Sequence, residues 1–179
     1  MLARIDPFLK TWRWPALALL AAGLMLGAAH AFETFANLAP CPLCLRQREV
    51  YWAIAAMTIT ALALWQIRQN PRFILAFNIM LGLVFLTGAV VAGYHAGVEY
   101  KFWPAPSGCL ATSFDMNTFD PSALNQPQAV ASCLDDPWKG RYGLSMAGWN
   151  MLASLALAFV SFRAAGISLP KPRSLSPAE

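Results

Sequence analysis

Four long stretches of this chain contain no Asp, Glu, Lys or Arg: residues 14–32, 50–67, 73–98 and 142–162. A helix that crosses a bilayer needs roughly 17–25 apolar residues, and each stretch is long enough. Even the shortest, at 18 residues, outruns a soluble strand and most buried core helices. Only 12% of the residues are charged, against about 25% in soluble domains. The pattern predicts an all-α membrane protein, a four-transmembrane-helix bundle. Its spans fall at about 14–32, 48–67, 73–98 and 142–162, within one domain over 1–165.

The net charge of +4 would suit a nucleic-acid binder only if the basic residues shared one solvent face. Instead they mark the two sides of a membrane. The N-terminal tail (Arg4, Lys10, Arg13), the 68–72 loop (Arg68, Arg72) and the C-terminal tail (Arg163, Lys171, Arg173) hold eight basic residues in about 35 positions. Segments 33–49 and 99–141 hold five in about 60: Arg46, Arg48, Lys101, Lys139 and Arg141. Cytoplasmic segments are enriched in Lys and Arg. Both termini are therefore expected in the cytoplasm, and the loops 33–47 and 99–141 outside. Ala29-His30-Ala31 resembles a signal-peptidase site. Retention of the first span is favoured, because its apolar stretch exceeds the ~7–15 residues of a signal core.

The second outward loop is rich in Pro, Ser, Asn and Asp, which argues against long regular structure. One short amphipathic segment is expected near Ala123–Val130, interrupted by Pro127. The tail 166–179, with Pro170, Pro172 and Pro177, is expected to be flexible. Gly23-x-x-x-Gly27 and Gly93-x-x-x-Gly97 have the spacing that lets membrane helices approach closely. Trp12, Trp14, Trp65, Trp103, Trp138 and Trp149 lie near span ends, where amphipathic rings settle at the interface.

All four cysteines, Cys41, Cys44, Cys109 and Cys133, fall in the outward segments. Disulfides persist outside the cytoplasm, and an even count there reads as two of them. Two other arrangements use the same residues. A zinc site would draw on all four thiolates, but such sites prefer two closely spaced pairs, and 23 residues separate Cys109 from Cys133. A purely structural staple suits Cys109–Cys133, which would restrain a long loop. It suits Cys41-Pro42-Leu43-Cys44 poorly, since closing so small a ring removes little entropy from the unfolded chain. Redox use explains that pair better. Pro42 fits the first helical position, which makes Cys41 the cap and puts Cys44 in the first turn, where a helix N-terminus favours a thiolate. Arg48 lies at i+4 from Cys44, on the same face one turn deeper. It either adds a second positive field or snorkels to lipid headgroups.

The string Cys41-Pro-Leu-Cys44-Leu-Arg-Gln47-Arg48 after one span, with a long outward loop bearing two more cysteines, resembles the DsbB family of bacterial inner-membrane disulfide-generating proteins. Trp138 after Cys133 and Gly143-Leu-Ser-Met at the last span fit the same family, and the resemblance covers about residues 13–163. It implies a membrane thiol oxidase, a quinone-dependent protein-disulfide oxidoreductase whose two loops are periplasmic. Cys109–Cys133 would oxidise a reduced DsbA-type thioredoxin-fold partner, with Cys109 forming the mixed disulfide. Electrons would pass to Cys41–Cys44, and Cys44 would deliver them to a membrane quinone, ubiquinone or menaquinone. Arg48 and His95 would lie beside that quinone, and no metal is implied. A DsbA-type protein is itself a strong oxidant, so an external electron sink is needed. A lipid-soluble quinone explains why the dithiol sits at the bilayer edge.

Two rival readings use the same cysteines. In vitamin K epoxide reductase-like proteins the cysteine pair precedes the C-x-x-C, which follows several spans. The order here is reversed. A non-catalytic membrane protein with stapled loops is the other, and it predicts no redox cycling with quinone.

Overall fold

The computed structural model describes residues 12–109, 132–134, 138 and 143–167. Four long helices hold most of them: α1 Arg13–Phe35, α2 Pro42–Ile67, α3 Pro71–Glu99 and α4 Met146–Ile167. A 3-10 turn, Ser107–Cys109, is also present. α1, α2 and the Arg72–Glu99 part of α3 are long and apolar enough to cross a membrane. α4 is 22 residues long and carries Asn150, Ser154, Ser161 and Arg163. It packs along α3. The chain is thus an all-helical, multi-pass membrane protein, and a four-helix bundle fits it. The expected segment Ala123–Val130 and most of the tail 166–179 lie outside the described residues.

The helices outrun the uncharged stretches where a polar group finds a partner. α1 continues through Glu33, whose carboxylate pairs with Arg48 of α2 at 2.6 Å. α2 starts at Pro42 rather than near 48, because Cys41 caps it: the Cys41 Sγ accepts from the Cys44 N–H at 3.1 Å. Asn70 caps α3 by accepting from the Arg72 N–H at 3.0 Å. α4 differs from the expected 142–162. Gly143 has φ +78°, a left-handed conformation that an α-helix does not hold. The helix therefore starts after Ser145, whose Oγ accepts from the Gly148 N–H at 3.0 Å.

α1 packs on α2, α2 on α3, and α3 most extensively on α4, while α1 and α4 touch at few positions. Ala18, Ala22, Ile54, Leu81 and Phe85 are fully buried between them. At the end holding Arg13, Arg68 and Arg163, Trp14 donates its indole N–H to Ser161 Oγ at 3.1 Å and ties α1 to α4. Trp14 is 5% exposed, so it belongs to the core rather than to an interfacial belt. The glycine readings also divide. A Cβ at Gly23 or Gly27 would meet nothing within 4 Å, whereas one at Gly93 would meet Met151 of α4 at 3.0 Å. Only the second pair contributes to a helix contact, and only through Gly93.

Candidate functional site

The opposite end of the bundle gathers the cysteines. Cys41 is buried and Cys44 half-buried at the start of α2, with their sulfurs 2.6 Å apart. Cys109 and Cys133 form a disulfide. Both pairs belong to one apolar cluster that includes Val98, Leu43 and Ala105. The Cys41 sulfur, the Cys133 sulfur and a ring nitrogen of His95 all lie within 4.8 Å of one another. Those three residue types can ligate a soft metal, but a sulfur bonded to Cys109 is not the thiolate that a metal binds. What the cluster does offer is thiol–disulfide exchange, since a sulfur of one pair lies beside a sulfur of the other.

The chain after α3 is folded back to achieve this. The Phe102 N–H donates to the Gly97 carbonyl at 2.8 Å and the Lys101 N–H to Val98 at 3.1 Å. With Lys101 at φ +61°, this is a Schellman ending. Trp103 then stacks on Tyr94 at 5.8 Å between ring centroids and donates its indole N–H to the Tyr94 carbonyl at 2.9 Å. Gly97 makes room for that indole: a Cβ there would run into the Trp103 ring. The returning strand of chain carries Cys109 over Cys41.

A cavity of about 780 Å³ opens beside Cys41 and Cys44, in the seam where α1 and α4 hardly touch. Its walls are largely apolar, with Leu26, Ala29 and Phe32 from α1 and Met146, Ala147 and Ala153 from α4. Cys41, Cys44, Gln47, Arg48, Tyr51, His95, Glu99 and Asn150 supply its polar side. Arg48 does not snorkel outward. Its guanidinium donates to Glu33 at 2.6 Å and to the Ala29 carbonyl at 3.1 Å, bridging α2 to α1 at the cavity wall. His95, 4% exposed, has Nε2 at 3.6 Å from the Cys41 sulfur and at 3.6 Å from Glu99 Oε1. Its Nδ1 lies 2.8 Å from Gln47 Nε2. Asn150 of α4 donates to Gln47 Oε1, and the Tyr51 hydroxyl donates to Asn150 Oδ1. The neighbouring Cys44 sulfur, followed by burial, pushes the Cys41 thiol well above its ordinary pKa.

All six residues singled out in the sequence converge. Cys41, Cys44, Arg48 and His95 line the cavity, and Cys109–Cys133 stands behind Cys41. Sequence reasoning assigned no role to Gln47, although it stands in the Cys41–Arg48 string, and did not mark Glu33, Tyr51, Glu99 or Asn150. The signal for Gln47 and Asn150 was available: amides in or beside an apolar span are costly and seldom idle. Nothing local marked Glu33 as the partner of Arg48, because the pairing joins two helices.

A family model described as disulfide bond formation protein DsbB matches residues 10–164. Among curated proteins, disulfide bond formation protein B of Nitrosomonas eutropha is 29% identical over 153 residues, covering 81% of this chain and 88% of that one. The protein of that name from Herminiimonas arsenicoxydans is 30% identical over 143 residues, covering 78% and 85%. Disulfide bond formation protein B 1 of Pseudomonas fluorescens is 28% identical over 137 residues, covering 72% and 74%. No solved structure matches. The matched range takes in all four cysteines, Arg48, His95 and every described helix except the last three residues of α4, and on that extent the chain belongs to the DsbB family.

Proposed function

We propose that this protein is a thiol oxidase of the bacterial inner membrane that reoxidises a periplasmic DsbA-type dithiol protein and passes the electrons to a membrane quinone. The observation that carries the reading is the placement of Cys41: its sulfur lies within 4.8 Å of the Cys133 sulfur on one side and lines a largely apolar cavity on the other. A partner thiolate attacks Cys109 and breaks the Cys109–Cys133 bond, freeing Cys133 as a thiolate. Cys133 attacks the Cys41 sulfur of a Cys41–Cys44 disulfide and expels the Cys44 thiolate into the cavity. The second partner thiol resolves the mixed disulfide and frees Cys109 as a thiolate, which attacks Cys133, re-forms the Cys109–Cys133 bond and expels the Cys41 thiolate, so one dithiol is oxidised per cycle.

The cavity suits a quinone ring. Its volume is within the roughly 300–1,000 Å³ of small-molecule sites, and such sites are mostly apolar with a few placed polar groups. Arg48 and His95 would hold the ring beside Cys44. When bound, a quinone accepts the two electrons and two protons of the dithiol. Arg48 is anchored by Glu33 and Ala29, so its charge is held in place before the reaction, and fixed charge in a dry site is worth far more than in water.

The test uses purified protein, a reduced thioredoxin-fold dithiol protein and a soluble quinone analogue. Wild-type protein should reduce quinone as the partner is oxidised. Cys109→Ser should abolish oxidation of the folded partner yet leave the reduced Cys41–Cys44 pair able to pass electrons to quinone. Normal partner oxidation by Cys109→Ser would make Cys109–Cys133 a staple. Failure of every cysteine to cycle with quinone would leave a stapled scaffold.

A further inference from the structure

We propose that Gln47 is a positioning residue that fixes the imidazole proton of His95 on Nε2, facing the Cys41 sulfur and the Glu99 carboxylate. The inference deepens the thiol-oxidase reading and rests on it for its consequence, though not for its test.

One hydrogen-bonded chain crosses three helices. Tyr51 of α2 has a single hydroxyl proton and gives it to Asn150 Oδ1 of α4, while the Ser154 hydroxyl at 3.0 Å donates to the Tyr51 oxygen. Asn150 therefore presents its NH2 to Gln47 Oε1. Gln47 then has only its own NH2 for the two remaining neighbours. One is the Leu43 carbonyl at 3.4 Å, which can only accept, so the atom facing it must be a donor. The other is His95 Nδ1 at 2.8 Å. Nδ1 must accept, and a neutral imidazole with a bare Nδ1 carries its proton on Nε2. That nitrogen is 3.6 Å from both Cys41 Sγ and Glu99 Oε1. A proton on Nδ1 would set an N–H against the N–H of Gln47.

The surroundings contain the groups that would otherwise compete. Cys41, ahead of α2, and Glu99, on α3 itself, face the ring directly. Cys133 is held in its disulfide. Cys44, Arg48 and Tyr51 of α2 share the cavity, and α4 offers the neutral Asn150. Arg48 is paired with Glu33 of α1.

It follows that His95 is a donor toward Cys41 and not a base. When Cys41 and Cys44 close into a disulfide, the S–S bond forms, two electrons leave the sulfurs for the quinone, and two thiol protons leave with them. The His95 Nε2–H bond is neither made nor broken. His95 instead steadies the Cys41 thiolate as it forms.

The chain holds two histidines, so ring-15N histidine labelling in a His30→Gln background isolates His95. Solution or solid-state NMR of the purified full-length protein should show a bare Nδ1 and a protonated Nε2 across the neutral range. Gln47→Glu, whose carboxylate only accepts, should move a proton onto Nδ1. It should also add an ionisation to the pH profile of Cys41 alkylation by iodoacetamide, one that a further His95→Asn change removes. Gln47→Met should release the lock, give mixed tautomers and slow Cys41–Cys44 oxidation by quinone roughly tenfold, the effect of one hydrogen bond. A wild-type His95 protonated on Nδ1, alone or together with Nε2, overturns the proposal, and so does a Gln47→Glu spectrum identical to wild type. Neither result depends on quinone turnover, so a failure of the oxidase reading is seen separately in the absence of quinone reduction.

Discussion

At the scale of single residues, the site assigns different work to two adjacent thiols and to one arginine. The Cys41 thiol is pushed above its ordinary range by the Cys44 sulfur beside it and by burial. Only the thiolate reacts with an alkylating agent, so at neutral pH Cys41 stays protonated and unreactive, and its alkylation should climb only under alkaline conditions. In reduced protein, mass spectrometry after a short iodoacetamide pulse should find Cys44 modified first. Prior modification of Cys41 at neutral pH would reverse the assignment. Arg48→Ala removes a charge held at the cavity wall and leaves the Glu33 carboxylate without its closest cation. Quinone kcat/KM should fall by about tenfold or more, or at least about 1.4 kcal/mol of transition-state stabilisation. Lysine should restore part of the rate, since it keeps the charge but cannot donate to Glu33 and the Ala29 carbonyl with one planar fork. Glu33→Gln should raise the KM by a smaller factor, because the guanidinium remains but is less firmly placed. Unchanged kinetics in Arg48→Ala would show that the residue only braces α1 against α2.

At the scale of elements, what was legible depended on whether one segment carried the signal. The four helices followed from uncharged length alone, and the Cys41 cap and the place of Cys44 from the Cys-Pro-x-Cys order. The start of α4 did not, because Gly143 at φ +78° blocks the helix while being as uncharged as its neighbours. Trp14 was misplaced at the interface, because its indole partner, Ser161, lies 147 residues away. The fold-back after α3 was equally hidden, since its cause is a pairing between Gly97 and an indole. That pairing is open to test. Gly97→Ala puts a methyl group into the Trp103 ring, and overpacking of this kind costs about 1–3 kcal/mol. Trp103 must swing away from Tyr94, and the chain leading to Cys109 loses its anchor on α3. The variant should melt at lower temperature and transfer electrons more slowly from the partner to Cys41–Cys44. Quinone reduction driven by a small dithiol that reaches Cys41–Cys44 directly should be nearly unchanged. Equal slowing of both reactions would mean that the whole site had moved, rather than the approach of Cys109–Cys133.

At the scale of the whole molecule, the two ends of the bundle are built for different tasks. One end is closed by the Trp14–Ser161 contact across α1 and α4. At the other, the same two helices separate around the cavity beside Cys41. An up-and-down run of four helices places Arg13, Arg68, Arg72 and Arg163 at the closed end. The cysteines, Arg48 and Lys101 lie at the open one. The excess of Lys and Arg marks the cytoplasmic side, so the closed end should face the cytoplasm and the cysteine end the periplasm, where disulfides persist. The check is labelling of reduced protein in spheroplasts by a membrane-impermeant maleimide. Cys44, the less buried of the α2 pair, should react from outside without permeabilisation. A cysteine introduced at exposed Gln69, between α2 and α3, in a chain with its four native cysteines replaced by serine, should react only after the inner membrane is opened. The same pattern should hold at neutral pH with saturating reagent, so that slow chemistry is not mistaken for burial behind a membrane. Labelling of Gln69→Cys in intact spheroplasts, with Cys44 of the native chain reacting only after permeabilisation, would invert the bundle. It would put the dithiol in a compartment whose reducing pool keeps it from oxidising anything, and the oxidase reading would fall with the topology.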